Sequence, residues 1–427
     1  MGREVVQVRG LVPQAPDAVW AVAGDFCAAW HPWITTIRAE RGPRGALVRA
    51  FTVTGEDTTY REQQTYRSDS DRTLGYTHLE GIRDCEAYDA RMTVSEAEAG
   101  GSVVTWTATI RAPAARLPAI CEGTRAVFQA GIAALATAIA PARAAVALPP
   151  PAPVEDLIFD DLPRLAVSVT PDLGDDRLCL FLHGIGGGRT NWLAQLQAIG
   201  PTMRAAALDL RGYGDSTLGP VQSTVDDYCT DILRVADRLG AKRLVLVGLS
   251  YGSWIATSFA MRHPDRLDAL VLSGGCTGMS EAGPDEREAF RVSREVPLNA
   301  GQVPADFAPA VVKVLAGPSA SPETRQRLFD SMAAIPGATY RDALTCFTNP
   351  LERFDFSRLP MPVLLMTGEH DRLAPPAEIR GIAGRIWDSA PRPDVRFEVI
   401  PDAGHVCNVE QPGVYARHLL DLVARLA

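Results

Sequence analysis

The sequence predicts two unlike domains. An α+β N-terminal half comes first; a doubly wound, mostly parallel α/β sheet carrying a helical insertion follows. Three observations predict this. Apolar residues alternate with period two up to Ile110 and then recur at helical spacing. From Leu178 onward, short apolar runs alternate with helical segments. Between the halves, Pro149, Pro150, Pro151 and Pro153 can neither continue a helix nor pair inside a sheet. At 427 residues, and about 150 residues per domain, two or three domains are expected.

In the N-terminal half, Val5, Val6, Val8 and Leu11 mark a first strand, and residues 16–22 a short helix. Residues 46–53, 58–66, 73–79, 85–94 and 102–110 read as strands bounded by Gly, Asp or Ser clusters. Leu117, Ile120, Val127, Ile132, Leu135 and Ile139 then place one amphipathic helix over 116–140. This gives a domain over 1–140, a semi-rigid linker over 141–156 and a second domain over 157–427. In the second domain, strands are expected at 178–182, 204–208, 244–247, 269–272, 363–366 and 395–400. Residues 276–360 hold four helical patches (285–296, 306–315, 323–334 and 338–347) and no strand candidate. An insertion this long at a sheet edge reads as a lid.

Hydrophobic residues make up 46% and charged residues 22%, which excludes a disordered or fibrous chain. A net charge of −9 argues against a nucleic-acid or anionic-membrane partner and fits a small-molecule substrate. The start MGREVVQVRG has no apolar signal region, and no run of 18 apolar residues occurs. The eight cysteines form no C-x-x-C pair and have no metal-ligand spacing, so they read as buried thiols in a reducing, cytoplasmic compartment. Lys242 and Lys313 are the two lysines against abundant arginine, as a GC-rich bacterial genome would give.

The chemistry concentrates in the second half. Gly248-Leu-Ser250-Tyr-Gly252 fits G-x-S-x-G, follows the apolar run 243–247 and precedes a helix over 254–263. Strand, sharp turn and helix are what a nucleophile elbow needs, with the positive helix N-terminus aimed at Ser250. A serine nucleophile needs a base, and the base an orienting carboxylate. Asp371 follows the strand at 363–366, and His405 the strand at 395–400. Glu369 and Asp402 compete for the acid role and His370 for the base. Leu182-His-Gly-Ile-Gly-Gly-Gly188 follows the first strand of this half, so Ile185 is expected to offer one backbone N–H of an oxyanion hole and Tyr251 the other. Gly184 and Trp192 are candidate substrate contacts. The Gly-rich loop fits neither a dinucleotide nor a P-loop pattern, and neither cofactor nor metal is signalled.

With Asp209-Leu-Arg-Gly-Tyr-Gly-Asp-Ser216, Gly368-Glu-His-Asp371 and Gly404-His405, these motifs in this order resemble the α/β-hydrolase superfamily. The insertion and the tail His405-Val-Cys-Asn-Val-Glu-Gln-Pro412 are similar to enol-lactonases and related esterases. The N-terminal half resembles the SRPBCC, or polyketide-cyclase/START-like, superfamily, on Trp30-His-Pro-Trp33, Tyr60-Arg-Glu62, Tyr76, Tyr88, Trp106 and the helix around Phe128. That resemblance implies a helix-grip fold, a curved sheet around a long helix enclosing an apolar cavity. Trp30, Glu62 and Trp106, with Trp33, Tyr76 and Tyr88, are candidates for its wall; plain core is the competing reading. Glu62 is the one potential acid or base among them and could instead face solvent.

The function expected is a serine hydrolase cleaving a carboxylic ester or lactone, with an N-terminal domain that binds or processes an apolar substrate. Carbon–carbon bond hydrolysis, thioester release of a polyketide-like product and non-catalytic ligand binding are the alternatives.

Overall fold

The computed structural model describes residues 1–42, 45–137, 148–350, 353–389 and 393–426. Residues 138–147, the end of the expected long helix and most of the expected linker, lie outside the described residues. Two compact units divide the chain: Met1–Ala145 with Asp394–Glu398, and Val146–Pro393 with Val399–Ala427.

The first unit runs β1 (Gly2–Val12), α1 (Pro16–Ala23), β2 (Ile34–Arg41), β3 (Leu47–Val53), β4 (Thr59–Ser68), β5 (Thr73–Glu80), β6 (Ala87–Glu96), β7 (Ser102–Ala112) and α2 (Leu117–Leu135). The strands pair antiparallel throughout, in the order β1-β7-β6-β5-β4-β3-β2. Alternation does what period two requires: along β1, Val6 and Val12 are buried while Val5 and Leu11 face solvent. α2 lies against β1 and β7 and buries Leu117, Ile120, Phe128, Ile132 and Leu135. Gly131 permits that approach, because a Cβ there would fall 2.8 Å from the Trp106 ring. This is the helix-grip arrangement. β2 was not expected from sequence. Its Ile-Thr-Thr-Ile-Arg-Ala-Glu-Arg run buries no residue fully, so the alternation that marks a strand is missing.

The second unit opens with a hairpin, β8 (Glu155–Phe159) and β9 (Leu165–Val169). It continues through β10 (Arg177–Leu182), α3 (Leu193–Ile199), β11 (Ala205–Leu208), α4 (Val225–Arg238), β12 (Arg243–Leu249), α5 (Tyr251–Arg262) and β13 (Leu267–Ser273). The insertion holds α6 (Pro284–Asn299), α7 (Pro304–Leu315), α8 (Pro322–Ala333) and α9 (Gly337–Thr348). β14 (Val363–Gly368), α10 (Pro376–Asp388), α11 (Cys407–Glu410) and α12 (Pro412–Leu426) complete the unit; β15 (Val395–Ile400), ahead of α11, falls mostly in the first unit. The order β8-β9-β11-β10-β12-β13-β14 is antiparallel through β11 and parallel from there to β14. β10, β12, β13 and β14 are covered on both faces, and their Leu- and Val-rich runs are buried almost end to end.

β8 begins inside the stretch read as linker, which ran to residue 156. Its Glu-Asp-Leu-Ile-Phe sequence lies at the sheet edge and is only half-buried, which hid it behind the prolines. All eight cysteines are unpaired; Cys27, Cys85 and Cys121 are half-buried rather than buried. Among the described residues, no helix is long and apolar enough to cross a membrane.

Candidate functional site

The turn between β12 and α5 holds Ser250 at φ 54° and ψ −112°, a backbone conformation rare outside glycine. The flanking glycines make this turn possible. A Cβ on Gly248 would lie 2.3 Å from the Gly252 carbonyl oxygen, and one on Gly252 2.3 Å from that of Leu182. Chain therefore passes chain at backbone contact, and Ser250 is lifted onto the wall of a cavity of about 270 Å³. α5 behind it is buried along its length and points its N-terminus at that wall.

Asp371 and His405 come from the loops after β14 and β15. His405 Nδ1 lies 2.9 Å from Asp371 Oδ2, and both residues are buried. Thr367 Oγ1 lies 3.2 Å from the same oxygen, while Oδ1 accepts the Leu373 and Ala374 amides at 2.8 and 2.9 Å. Burial works to raise the Asp371 pKa. The hydrogen bond and charge of His405 and the two amides outweigh it and hold the carboxyl below its ordinary range. The His405 loop is fastened by Glu410, whose carboxylate accepts the Gly404 and Gly317 amides, and by the His405 amide on Leu315 O at 2.7 Å. His405 and Ser250 line the same cavity. A Cβ on Gly274 would sit 3.1 Å from His405 Cε1, and one on Gly275 3.6 Å from Ser250 Cα. The rivals do not join them. Glu369, His370 and Asp402 are exposed and gather with one another, away from the cavity wall.

Gly184 and Ile185 lie on the wall too; a Cβ on Gly184 would be 3.3 Å from that of Ser250. Neither the Ile185 nor the Tyr251 amide donates to any described residue. Tyr251 is buried and Ile185 half-buried, so the wall offers two open donors, one of them on the residue that follows the serine. His183 anchors this loop. Its Nε2 accepts the Leu210 amide at 3.1 Å, which puts the ring proton on Nδ1 toward Gly184 O at 2.8 Å, and burial lowers its pKa. Asp209 holds the far end of the loop, accepting the Arg189 amide at 2.8 Å and pairing with the Arg189 guanidinium. The Tyr213 hydroxyl donates to Ile185 O at 3.1 Å.

Trp192 is not at the cavity. It is fully buried and packs its ring against Phe181 at 4.9 Å and Tyr415 at 5.8 Å, in the core between sheet and helices. Its neighbour Asn191 reaches the wall instead. Sequence reasoning also missed the wall residues of the insertion, among them Phe290, Arg294, Met332, Tyr340 and Phe347. Helical periodicity was their only signal, and it does not say which face looks into a cavity.

The first unit encloses a second cavity, of about 300 Å³, and Trp30, Trp33, Glu62, Tyr76, Tyr88 and Trp106 all contribute to its wall. Trp106 stacks on Phe128 at 4.4 Å and donates to the Tyr76 hydroxyl at 3.1 Å. Glu62 does not face solvent. It is buried and takes the Arg49 Nε and Nη2 at 2.7 and 2.6 Å, while Arg49 Nη1 donates to Phe26 O at 3.2 Å.

A sheet of this order, with a serine on the strand–helix turn and an Asp–His pair on later loops, defines the α/β-hydrolase class of fold. Residues 178–412, more than half of the chain, match the family described as alpha/beta hydrolase fold, and the chain belongs to that family. Residues 4–140 match the family described as polyketide cyclase / dehydrase and lipid transport. A Bacillus subtilis (strain 168) protein named as a 2-succinyl-6-hydroxy-2,4-cyclohexadiene-1-carboxylate synthase is 27% identical over 259 residues, 58% of this chain and 89% of that protein. A thermophilic esterase from Thermogutta terrifontis, at 27% identity, superposes with a TM-score of 0.54 over 64% of this chain and 99% of its own. The enol-lactonase from Burkholderia xenovorans, at 21% identity, shares the fold with a TM-score of 0.51 over 61% of this chain and 96% of its own.

Proposed function

We propose that the protein is a serine hydrolase that cleaves a carboxylic ester or lactone through an acyl-enzyme. The observation that carries this is the 2.9 Å bond between His405 Nδ1 and Asp371 Oδ2 on the wall that Ser250 also lines. Ser250 Oγ attacks the carbonyl and passes its proton to His405. Asp371 holds the imidazole in the tautomer that can accept it and stabilises the imidazolium. The open amides of Ile185 and Tyr251 meet the oxyanion, each worth about 3 kcal/mol in the transition state. His405 then protonates the departing alcohol, and water, activated by the same histidine, releases the acid. The likeness to an esterase at 27% identity is consistent with this chemistry. We assign the first unit to binding an apolar, ring-bearing ligand, on the strength of its aromatic-walled cavity. We read the proline-rich stretch ahead of β8 as the linker between the units and the unpaired thiols as the mark of a reducing compartment.

The test is Ser250→Ala against a p-nitrophenyl ester. The variant should lose about 10⁶-fold in kcat, because the residues act as a unit. An activated phosphonate should label the wild type once, at Ser250. Retained hydrolysis by the variant overturns the reading.

A further inference from the structure

Among the described residues, the mainly apolar wall beside Ser250 carries one guanidinium, that of Arg294, and one carboxyl, that of Glu378, with no ion pair between them. Arg294 projects from α6, with its Cζ 3.4 Å from the centre of the Phe290 ring, one turn earlier on the same helix. Its Nη1 donates to Phe290 O at 3.0 Å and to Ser293 Oγ at 3.1 Å, and Tyr340 is a further side-chain partner. All of these partners are neutral. Among the described residues no carboxylate pairs with Arg294, whereas Arg49, Arg189, Arg211, Arg243 and Arg291 each meet an Asp or Glu. Phe290 and Phe347 stand edge to face at 5.9 Å on the same wall. Burial lowers the Arg294 pKa, with Tyr340 opposing. A half-buried cation on an aromatic wall carries a desolvation cost that a counter-charge would offset. The cavity is where that counter-charge can enter.

We infer that Arg294 is a substrate-anchoring residue that selects esters or lactones bearing a free carboxylate. The inference rests on the serine-hydrolase reading of the same cavity. A planar guanidinium fork matches a carboxylate in two parallel hydrogen bonds. Arg294 brings one positive charge to a wall that already holds the Glu378 carboxyl, which favours a singly charged carboxylate over a phosphate dianion. Two charge-assisted bonds at a partly dry site are worth about 10- to 100-fold in selectivity.

The experiment compares matched esters on the full chain. On the acyl side, the mono-p-nitrophenyl ester of glutaric acid is set against p-nitrophenyl pentanoate. On the alcohol side, the acetyl ester of m-hydroxybenzoate is set against phenyl acetate. The ratio of kcat/KM within a pair is the readout, because both members report the same population of folded enzyme. Wild type should favour the anionic member of at least one pair. Arg294→Gln should lower that ratio by about 10- to 100-fold, and Arg294→Lys should restore part of it. A wild type that prefers the neutral member of both pairs, or a ratio that Arg294→Gln leaves unchanged, overturns the inference. A second arm needs no catalysis: glutarate should bind Ser250→Ala by calorimetry, and the added Arg294→Gln change should abolish the binding. Arg294-dependent glutarate binding without cleavage of any ester would keep the anion site and sink the hydrolase. Ester cleavage without selectivity or glutarate binding would do the reverse. Arg294-dependent binding of phenyl phosphate in place of glutarate would overturn the carboxylate assignment.

Discussion

Asp371→Asn tests the proposed triad most sharply, because the surroundings of the carboxylate dictate how the amide must turn. Oδ1 accepts two backbone amides, from Leu373 and Ala374. An NH2 group placed there would face two N–H donors, so asparagine must put its oxygen in that position. Its NH2 then points at His405 Nδ1, where the structure now has Oδ2 at 2.9 Å. Nδ1 becomes an acceptor, and the ring proton moves to Nε2, the nitrogen that must receive the proton of Ser250. The base is then present but blocked. The expected loss is about 10⁴ in kcat, or about 5.5 kcal/mol of barrier. The fold should hold, since size, packing and both amide bonds are kept. The assay is kcat on p-nitrophenyl butyrate, with thermal unfolding alongside and Glu369→Gln and Asp402→Asn as controls. Both controls should keep wild-type rates, because those side chains sit at the surface. A folded Asp371→Asn variant within about tenfold of wild type would show that Asp371 does not set the imidazole tautomer.

Three further outcomes follow from particular contacts. Gly248→Ala drives a Cβ to 2.3 Å from a backbone oxygen, and should cost about 3 kcal/mol and lower Tm by about 10 °C; a wild-type Tm would contradict the turn geometry. His78, whose Nε2 accepts the Ile82 amide at 3.0 Å, is held neutral by burial down to about 4, with the Glu80 charge opposing. The unfolded chain protonates near 6.5, so this contribution to stability is full above that pH and fades as pH falls toward 4. The Tm advantage of wild type over His78→Gln should therefore shrink between neutral pH and pH about 5; an advantage that does not change with pH would refute it. Arg49→Met strands the buried Glu62 carboxylate and should cost about 3–5 kcal/mol, most of it recovered in Arg49→Met/Glu62→Leu; a double variant no better than the single would mean the charges are not coupled.

Most elements with their own cores were legible in the sequence; the edge strands were not, and neither was β9, although it is buried along its length between β8 and β11. β10, β12, β13 and β14 are apolar because they are covered on both faces, so their runs stand out. The four insertion helices follow the helical patches closely. β2 and β8 escaped because an edge strand can satisfy half its backbone with water and needs no clean alternation.

The parts of the site differ in legibility for a physical reason. Nucleophile, base and acid need fixed backbone geometry, and such geometry leaves local marks. Gly248 and Gly252 are there because no Cβ fits, and Ser250 sits at a positive φ that this turn imposes. The wall that would recognise a substrate leaves no such mark. Trp192 and Asn191 are neighbours, yet one fills the core and the other reaches the cavity. The large aromatic was the natural guess, but a short 3-10 turn over Arg189–Trp192 decides which side chain points where. Arg294 is harder still. On a helix with Glu288, Arg291 and Glu295 around it, a charge reads as part of a solvated face. Arg291 does pair with those two glutamates, at 2.6 and 2.5 Å. Arg294, three residues on, lines the cavity and, among the described residues, has no carboxylate partner. Which arginine of that row faces the cavity is settled by the rotation of α6 against α9, a tertiary fact with no local signature in the chain.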